Sequence, residues 1–350
     1  MKQYLDLLQN ILDNGVEKES GRANMPNTIG ISHGVIKMDL QEGFPLLTTK
    51  KMYLKGIIHE LLWILRGDTN IKYLVDNNVN IWNGDAYRWY LSRFTKNYDL
   101  YSQEEFIEKI KEGKLQQFSK NIDWEDPKVL ENTWIKYRLG DLGKVYGYQW
   151  RNQNGVDQIR DVIEGLRDNP YSRYHIIDGW NKSDFKDMAL PPCHLLYQFI
   201  VRPISKEERG KIGYDKWEYL RKNKPKNYVD SDVPKFYLDL NMYQRSCDTF
   251  LGVPFNIASM SILLILFAKV SNMIPGVATW IGGDTHLYVD HIPQVKEQLS
   301  RTPKKLPGIG ITKKLNSLED ILALTIDDFV LVNYEPYDAI KAELFTGIKK

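Results

Sequence analysis

The sequence predicts an α+β fold, and three observations carry that prediction. Apolar positions recur at helical spacing in some segments and alternate at strand spacing in others, without the regular βαβ succession of a parallel sheet. The greasiest run, 257–268, is too short for a bilayer and stops at Lys269, so it reads as a buried central helix. Hydrophobic residues are 43% of the 350 and aromatics 12%, enough for a sizeable core.

Residues 2–14 and 55–76 read as helices; in the second, Ile57, Ile58, Leu61, Leu62 and Leu65 share one face, and Gly67 with Asp68 ends the strongest part of the pattern. Residues 28–40 alternate loosely and read as a strand. Residues 157–168 place Ile159, Val162, Ile163 and Leu166 on a helical stripe. Segments 175–180, 195–201 and 236–243 read as strands, 257–272 as the central helix and 289–300 as an amphipathic one. Two stretches, about 92–138 and about 203–234, are charged or lysine-rich with little apolar periodicity. They read as surface insertions on one domain spanning 1–350.

Composition excludes several function classes. Lys plus Arg number 47 against 45 Asp plus Glu, a net charge of +2, so nothing global points to nucleic acid. The lysine-rich run at 222–226 reads as a solvated loop. The first residues show a helical apolar pattern broken by charge instead of a signal-peptide core. The chain has two cysteines on different segments, which give neither a disulfide framework nor metal-ligand spacing. The expectation is a soluble, cytoplasmic protein without membrane or metal.

The chemistry concentrates at Met188-Ala-Leu-Pro-Pro-Cys-His-Leu-Leu196. Pro191 and Pro192 fix backbone φ, so the Cys193 thiol is held at a stiff corner between loop and strand. A thiol is a good nucleophile as thiolate, which requires a nearby cation and partial exposure. Arg245, within Gln244-Arg-Ser-Cys-Asp248, is the candidate cation. In isolation, a cysteine before an apolar run would read as a small core residue.

Further segments surround that corner: Asp39-Leu-Gln-Glu-Gly-Phe-Pro-Leu-Leu-Thr-Thr-Lys-Lys51, His59-Glu-Leu-Leu-Trp63, Gly67-Asp-Thr-Asn-Ile71 and Gly140-Asp-Leu-Gly-Lys-Val-Tyr-Gly-Tyr-Gln-Trp150. After Cys193 come Tyr243-Gln-Arg-Ser-Cys-Asp248, Phe250-Leu-Gly-Val-Pro-Phe-Asn-Ile-Ala-Ser259 and Gly282-Gly-Asp-Thr-His-Leu-Tyr288. In these segments, and in their order, the chain resembles the thymidylate synthase family nearly end to end.

The resemblance implies methylation of dUMP at C5 with 5,10-methylenetetrahydrofolate, giving dTMP and dihydrofolate. Cys193 would add at C6, and covalent catalysis divides one hard substitution into easier steps. Charge then develops toward O4, the face to which Asn256 is carried over. A carboxamide can donate to uracil O4 and accept from N3–H, a pattern that cytosine reverses, so Asn256 favours uracil. Glu60 is an acid inside an apolar helix, where burial raises its pKa toward the range useful for proton transfer. Tyr146 matches the tyrosine near the C5 proton, and His194 an organiser of hydrogen bonds.

For the phosphate, the resemblance implies Arg245 and Ser246, with Arg173 reaching across from a second subunit of a homodimer. In Ser172-Arg173-Tyr174 the second of the family's paired arginines is missing, and Arg22 is a displaced candidate for its N-terminal arginine. His286 and Tyr288 match the pair on the sugar hydroxyl, while Gln244 and Asp248 shape the pocket. Lys50 is implied near the folate's glutamate tail. Ile81, Trp82, Leu190, Gly252 and Phe255 are implied around its ring, with Asp85 where relatives carry a second Trp or an Asn. The tail from Glu343 runs past the family's usual end. These departures at the folate wall keep a sibling reaction open: hydroxymethylation of dUMP, in which water instead of hydride ends the sequence. A third alternative, a catalytically dead relative acting as an RNA-binding or scaffold protein, fits poorly with Cys193, Glu60, Asn256 and Arg245 all present.

Overall fold

A computed structural model describes residues 1–21, 23–93, 100–114, 138–212 and 233–346. Its centre is a seven-stranded mixed sheet of β1 (Val16–Lys18), β2 (Thr28–Ile31), β3 (Gly34–Asp39), β4 (Ile176–Asp178), β5 (His194–Pro203), β6 (Phe236–Asp248) and β7 (Ile274–Tyr288). The order is β1-β2-β7-β6-β5-β4, with β3 pairing farther along β7. Only β6 and β7 run parallel; the other neighbours are antiparallel. A parallel pair needs a crossover, and here the crossover is the central helix, Gly252–Val270. This is the α+β arrangement that the mixed periodicities predict.

The central helix is apolar on every side because it is covered on every side. Phe267 stacks on Phe199 of β5 at 4.8 Å, and Ala258, Leu263, Leu264 and Leu266 are fully buried. By length and composition alone it could cross a membrane, yet 72% of its apolar window is buried inside the protein. Helix Leu54–Leu65 packs beside it and contributes the fully buried Trp63. A small hairpin, β8 (Gly308–Ile311) with β9 (Phe329–Val332), completes the strands.

Several sequence expectations need correction. The helix expected over 55–76 is two, Leu54–Leu65 and Lys72–Asp76, because Gly67 takes φ +75° and turns the chain out of the first. The strand expected over 28–40 divides into β2 and β3, which occupy successive stretches of β7. The longest strand, β7, went unanticipated, since Pro275, Gly276, Gly282 and Gly283 argue against a central strand. The fold tolerates them by placing Pro275 at the strand start. Strand 236–243 continues to Asp248, and the central helix begins at Gly252, before the expected 257.

Within the first supposed insertion, Gln103–Lys111 is a helix with a Ser102–Glu105 capping box. Its Phe106 and Ile110 are fully buried, and Phe106 lies 5.0 Å from the Tyr90 ring of helix Asn83–Arg93. The remainder of that stretch at 94–99 and 115–137, most of the second at 213–232, and Arg22 lie outside the described residues.

Candidate active site

The topology brings the chemistry to one end of the sheet. β5 begins where β6 ends, with His194 opposite Gln244 and a bulge before the next pair. β6 in turn sets Asp248 beside His286 of β7. Bulges re-aim side chains next to functional sites.

Cys193 sits in the loop entering β5 and is partly exposed. Its backbone N–H donates to the Tyr146 hydroxyl at 2.7 Å, and its carbonyl accepts from Arg245 N–H at 2.8 Å. The Arg245 guanidinium holds the loop itself: Nε donates to the Pro192 carbonyl and Nη2 to that of Pro191, each at 2.8 Å. Nη2 also lies 3.9 Å from the Cys193 Sγ, and the guanidinium covers the Trp180 ring at 5.4 Å. A cation is thus fixed beside the sulfur, the condition that favours thiolate. The second cysteine, Cys247, is buried, and burial pushes its thiol up to about 12.

Glu60 faces the same space from helix Leu54–Leu65. Its Oε1 accepts from the Trp82 indole at 2.8 Å, and burial raises its pKa to about 7, only partly offset by that bond. Tyr146 lies between Trp82 and the sheet, with ring centroids 5.9 Å from Trp82 and 4.4 Å, stacked, from His194. Burial, and then the nearby Cys193, hold the Tyr146 hydroxyl well above its ordinary range. Burial lowers the His194 pKa to about 4, so the imidazole is neutral, and its Nδ1 pairs with the Tyr197 hydroxyl at 2.7 Å. His194 therefore holds no charge near neutrality, and its ring joins Tyr197 to Tyr146. Tyr197 and Trp180 are partners that sequence reasoning missed; each lies on a segment read as a strand, with no motif marking it.

The residues expected at the nucleotide are spread over β6, β7 and the start of the central helix, with Arg173 apart from them before β4. Asn256 lies in the first turns of the central helix, its Oδ1 3.7 Å from where a Cβ on Gly252 would stand. The Asp248 Oδ1 accepts from the N–H groups of Phe250 and Leu251 at 3.1 Å and so anchors that helix start. Gln244 is buried, its amide committed to the Trp280 indole at 2.9 Å and the Ser246 carbonyl at 3.0 Å; it supports the pocket from behind. His286 and Tyr288 meet edge to face at 5.6 Å, and His286 Nδ1 pairs with the Asp284 carbonyl at 3.1 Å. Arg173 is exposed just before β4, its carbonyl accepting from the Gln198 amide of β5 at 3.5 Å, beside a Tyr174 that is 89% exposed.

Of the residues expected at the folate, Ile81 and Phe255 line a largely apolar cavity of about 280 Å³ together with Val79 and Leu344 of the tail. Leu190 packs, half-buried, against the core. Lys50 turns inward: its ammonium donates to the Phe250 carbonyl at 2.5 Å and lies 3.7 Å above the Phe250 ring. Burial lowers its pKa to about 7 against the opposing pull of Asp248. Asp85 pairs with Arg88, three residues on along the same helix. Among the described residues no cluster of three or more potential ligands could hold a metal ion.

Known proteins resemble the chain along nearly its whole length. A family model described as thymidylate synthase matches residues 2–346. The chain is 43% identical over 346 residues to the thymidylate synthase of Mycoplasma mobile, covering 98% of this chain and 99% of that one. It is 42% identical over 347 residues to that of Malacoplasma penetrans, with 98% and 99% covered. It is 40% identical over 346 residues to that of aster yellows witches'-broom phytoplasma, again with 98% and 99% covered.

Proposed function

We propose that this chain, which belongs to the thymidylate synthase family and is therefore a one-carbon transferase, converts dUMP to dTMP through a covalent bond from Cys193 to C6 of the pyrimidine. The observation that carries the reading is the Cys193 sulfur 3.9 Å from a guanidinium that also clamps both preceding proline carbonyls. Orientation of the nucleophile and stabilisation of its thiolate come from one side chain. Its Nη1 bonds no described residue and is the group left to meet phosphate.

Once Cys193 adds at C6, negative charge moves toward C5 and O4. Asn256 donates to O4 and accepts from N3–H, which selects uracil. Glu60, whose pKa burial raises to about 7, can lend or take a proton on that side. Tyr146 faces the C5 proton. The residues present fit a reduced folate: a flat ring suits the apolar cavity lined by Ile81, Phe255, Val79 and Leu344, and the family's pattern assigns Trp82, Leu190 and Gly252 to the same co-substrate. When bound, 5,10-methylenetetrahydrofolate supplies the one-carbon unit and then the hydride. Trp82 shields the site from water.

The relatives above bear the synthase name, which favours methylation over hydroxymethylation. The same reading makes the active form a cytoplasmic homodimer, in which the exposed Arg173 reaches its partner's phosphate. It takes 1–350 as one catalytic domain with insertions at about 92–138 and 203–234. The test is mass spectrometry of the nucleotide formed from dUMP and methylenetetrahydrofolate, with absorbance for dihydrofolate. We expect dTMP and stoichiometric dihydrofolate; dominant 5-hydroxymethyl-dUMP would reject the final step.

A further inference from the structure

We propose that Arg88, oriented by Asp85, is a positioning residue that seats the C-terminal tail as the outer wall of the folate cleft. The proposal rests on the assignment of that cleft above and extends it to Arg88, which has no assigned role, and to Asp85, which the sequence placed at the folate ring itself.

The end of the tail, 343–346, lies against the protein through contacts of several kinds. An Arg88 Nη1 donates to the Thr346 carbonyl while its Nη2 pairs with the Asp85 carboxylate. Asp85 and Arg88 are three apart on helix Asn83–Arg93 and therefore share a face, so the carboxylate aims the guanidinium at the tail. Gly84, one residue before, leaves room for the chain: a Cβ there would stand 2.6 to 2.8 Å from the Thr346 side chain. Phe345 stacks on His291 at 4.9 Å and meets Tyr288 edge-on at 5.0 Å, and His291 Nε2 pairs with the Glu343 carbonyl at 2.9 Å.

Those contacts place Leu344 in the wall of the apolar cavity that holds Ile81 and Phe255. A wider cavity of about 1030 Å³ opens on the other side, lined by Gly84, Phe345, Thr346 and acids of helix Gln103–Lys111. Asn80 and Leu344 line both spaces, so this stretch of tail is the partition between them. The Arg88 pair brings charge to the contacts that hold the partition. Asp85 thereby acts on the folate side through the tail, not by touching the folate. Direct contact with the ring belongs to Ile81 and Phe255.

The test compares Arg88→Gln, Arg88→Lys and Asp85→Asn with a chain ending at Ala342. Deuterium exchange at the amides of 343–346, read in the unliganded protein, reports tail seating independently of catalysis. Arg88→Gln should speed that exchange about tenfold or more, with Asp85→Asn intermediate and Arg88→Lys closest to wild type. In turnover, Arg88→Gln should raise KM for methylenetetrahydrofolate roughly tenfold while the dUMP Kd changes less than about twofold, and it should add nothing in the truncated chain. Unchanged tail exchange in Arg88→Gln, or a KM effect additive with truncation, overturns the proposal. Faster tail exchange in a wild-type-folded protein that makes no dTMP would uphold the latch and reject the assigned reaction. Should Arg88→Gln fail to fold, the same two readouts on Asp85→Asn decide.

Discussion

The two walls of the cleft are built on different physical terms. The Cys193 wall hangs on the end of a seven-stranded sheet, and main-chain groups of Pro191, Pro192 and Cys193 are all bonded to Arg245 or Tyr146. The tail wall has no strand or helix of its own over 333–346: Tyr334, Tyr337 and Asp338 tie its first half to Leu47, Thr48, Met52 and Arg301, and its end at 343–346 meets Arg88, His291 and the rings around Phe345. Nucleophilic attack needs a reacting atom fixed to fractions of an ångström, which suits the first wall. A co-substrate must enter and leave, which suits the second. Rigidity is concentrated where a bond forms.

The largest expected effect lies on the rigid wall. Cys193→Ser should lower kcat by at least about 10³-fold and abolish the covalent adduct with 5-fluoro-dUMP, since a hydroxyl cannot replace a thiolate held by a guanidinium. Because Arg245 anchors the loop through the proline carbonyls, the variant should unfold near the wild-type temperature. Turnover retained within about tenfold would remove Cys193 from the mechanism and, with it, the reason for a rigid wall.

Glu60 lies between the walls and makes a second, smaller break. Its carboxyl ionises at about 7 in the fold and near 4.5 in an ordinary setting, so the native state holds more protons between those values. Stability from this group is therefore lost as pH rises through that window. Glu60→Gln should cost about 10²- to 10³-fold in kcat, yet raise stability at pH 8 by about 1–3 kcal/mol, with little change at pH 5. Thermal unfolding at both pH values, alongside turnover, checks the pair of signs. Destabilisation at pH 8 would mean that the carboxylate is not strained by burial.

Tyr146→Phe asks whether the rigid wall is over-determined. It leaves the Cys193 N–H without its 2.7 Å acceptor, a loss of about 1–3 kcal/mol in stability. With the Arg245 bonds intact, the loop should hold and dUMP affinity should change by less than about fivefold, while kcat falls about tenfold or more through the missing hydroxyl. A collapse of dUMP binding would show that one hydroxyl, and not the network, holds the corner.

How much of this was legible in sequence follows the same division. The Cys193 corner was readable because its determinants are local: two prolines fix φ, and Arg245 lies in one motif. Glu60 was readable as a charge in an apolar helix. β7 was not, because its glycines and its one proline are tolerated by neighbours distant in sequence, and pairing with β2, β3 and β6 outweighs local preference. Lys50 and Gln244 sit in the right motifs, but which way a buried side chain turns depends on Phe250 and Trp280, placed there by the fold. The Arg88 latch joins residues 258 apart through a main-chain carbonyl, and a carbonyl carries no sequence signal.

The smallest expected effect tests whether the walls are independent at all. Phe345 belongs to the tail, yet its ring meets Tyr288, a residue of the sheet end proposed to hold the sugar, at 5.0 Å. Aromatic pairs of this kind contribute about 0.5–1.5 kcal/mol beyond area burial, so Phe345→Ala should raise KM for methylenetetrahydrofolate roughly two- to tenfold. Tyr288 also meets His286 and His291 edge-on at 5.6 and 5.7 Å, contacts that survive the substitution and keep its ring in place. The dUMP Kd, measured by calorimetry without folate, should therefore stay within about twofold of wild type, below the 0.5 kcal/mol that separates neutral from structural substitutions. If dUMP affinity falls with folate affinity, Tyr288 couples the two sites, and the flexible wall is part of the nucleotide pocket too.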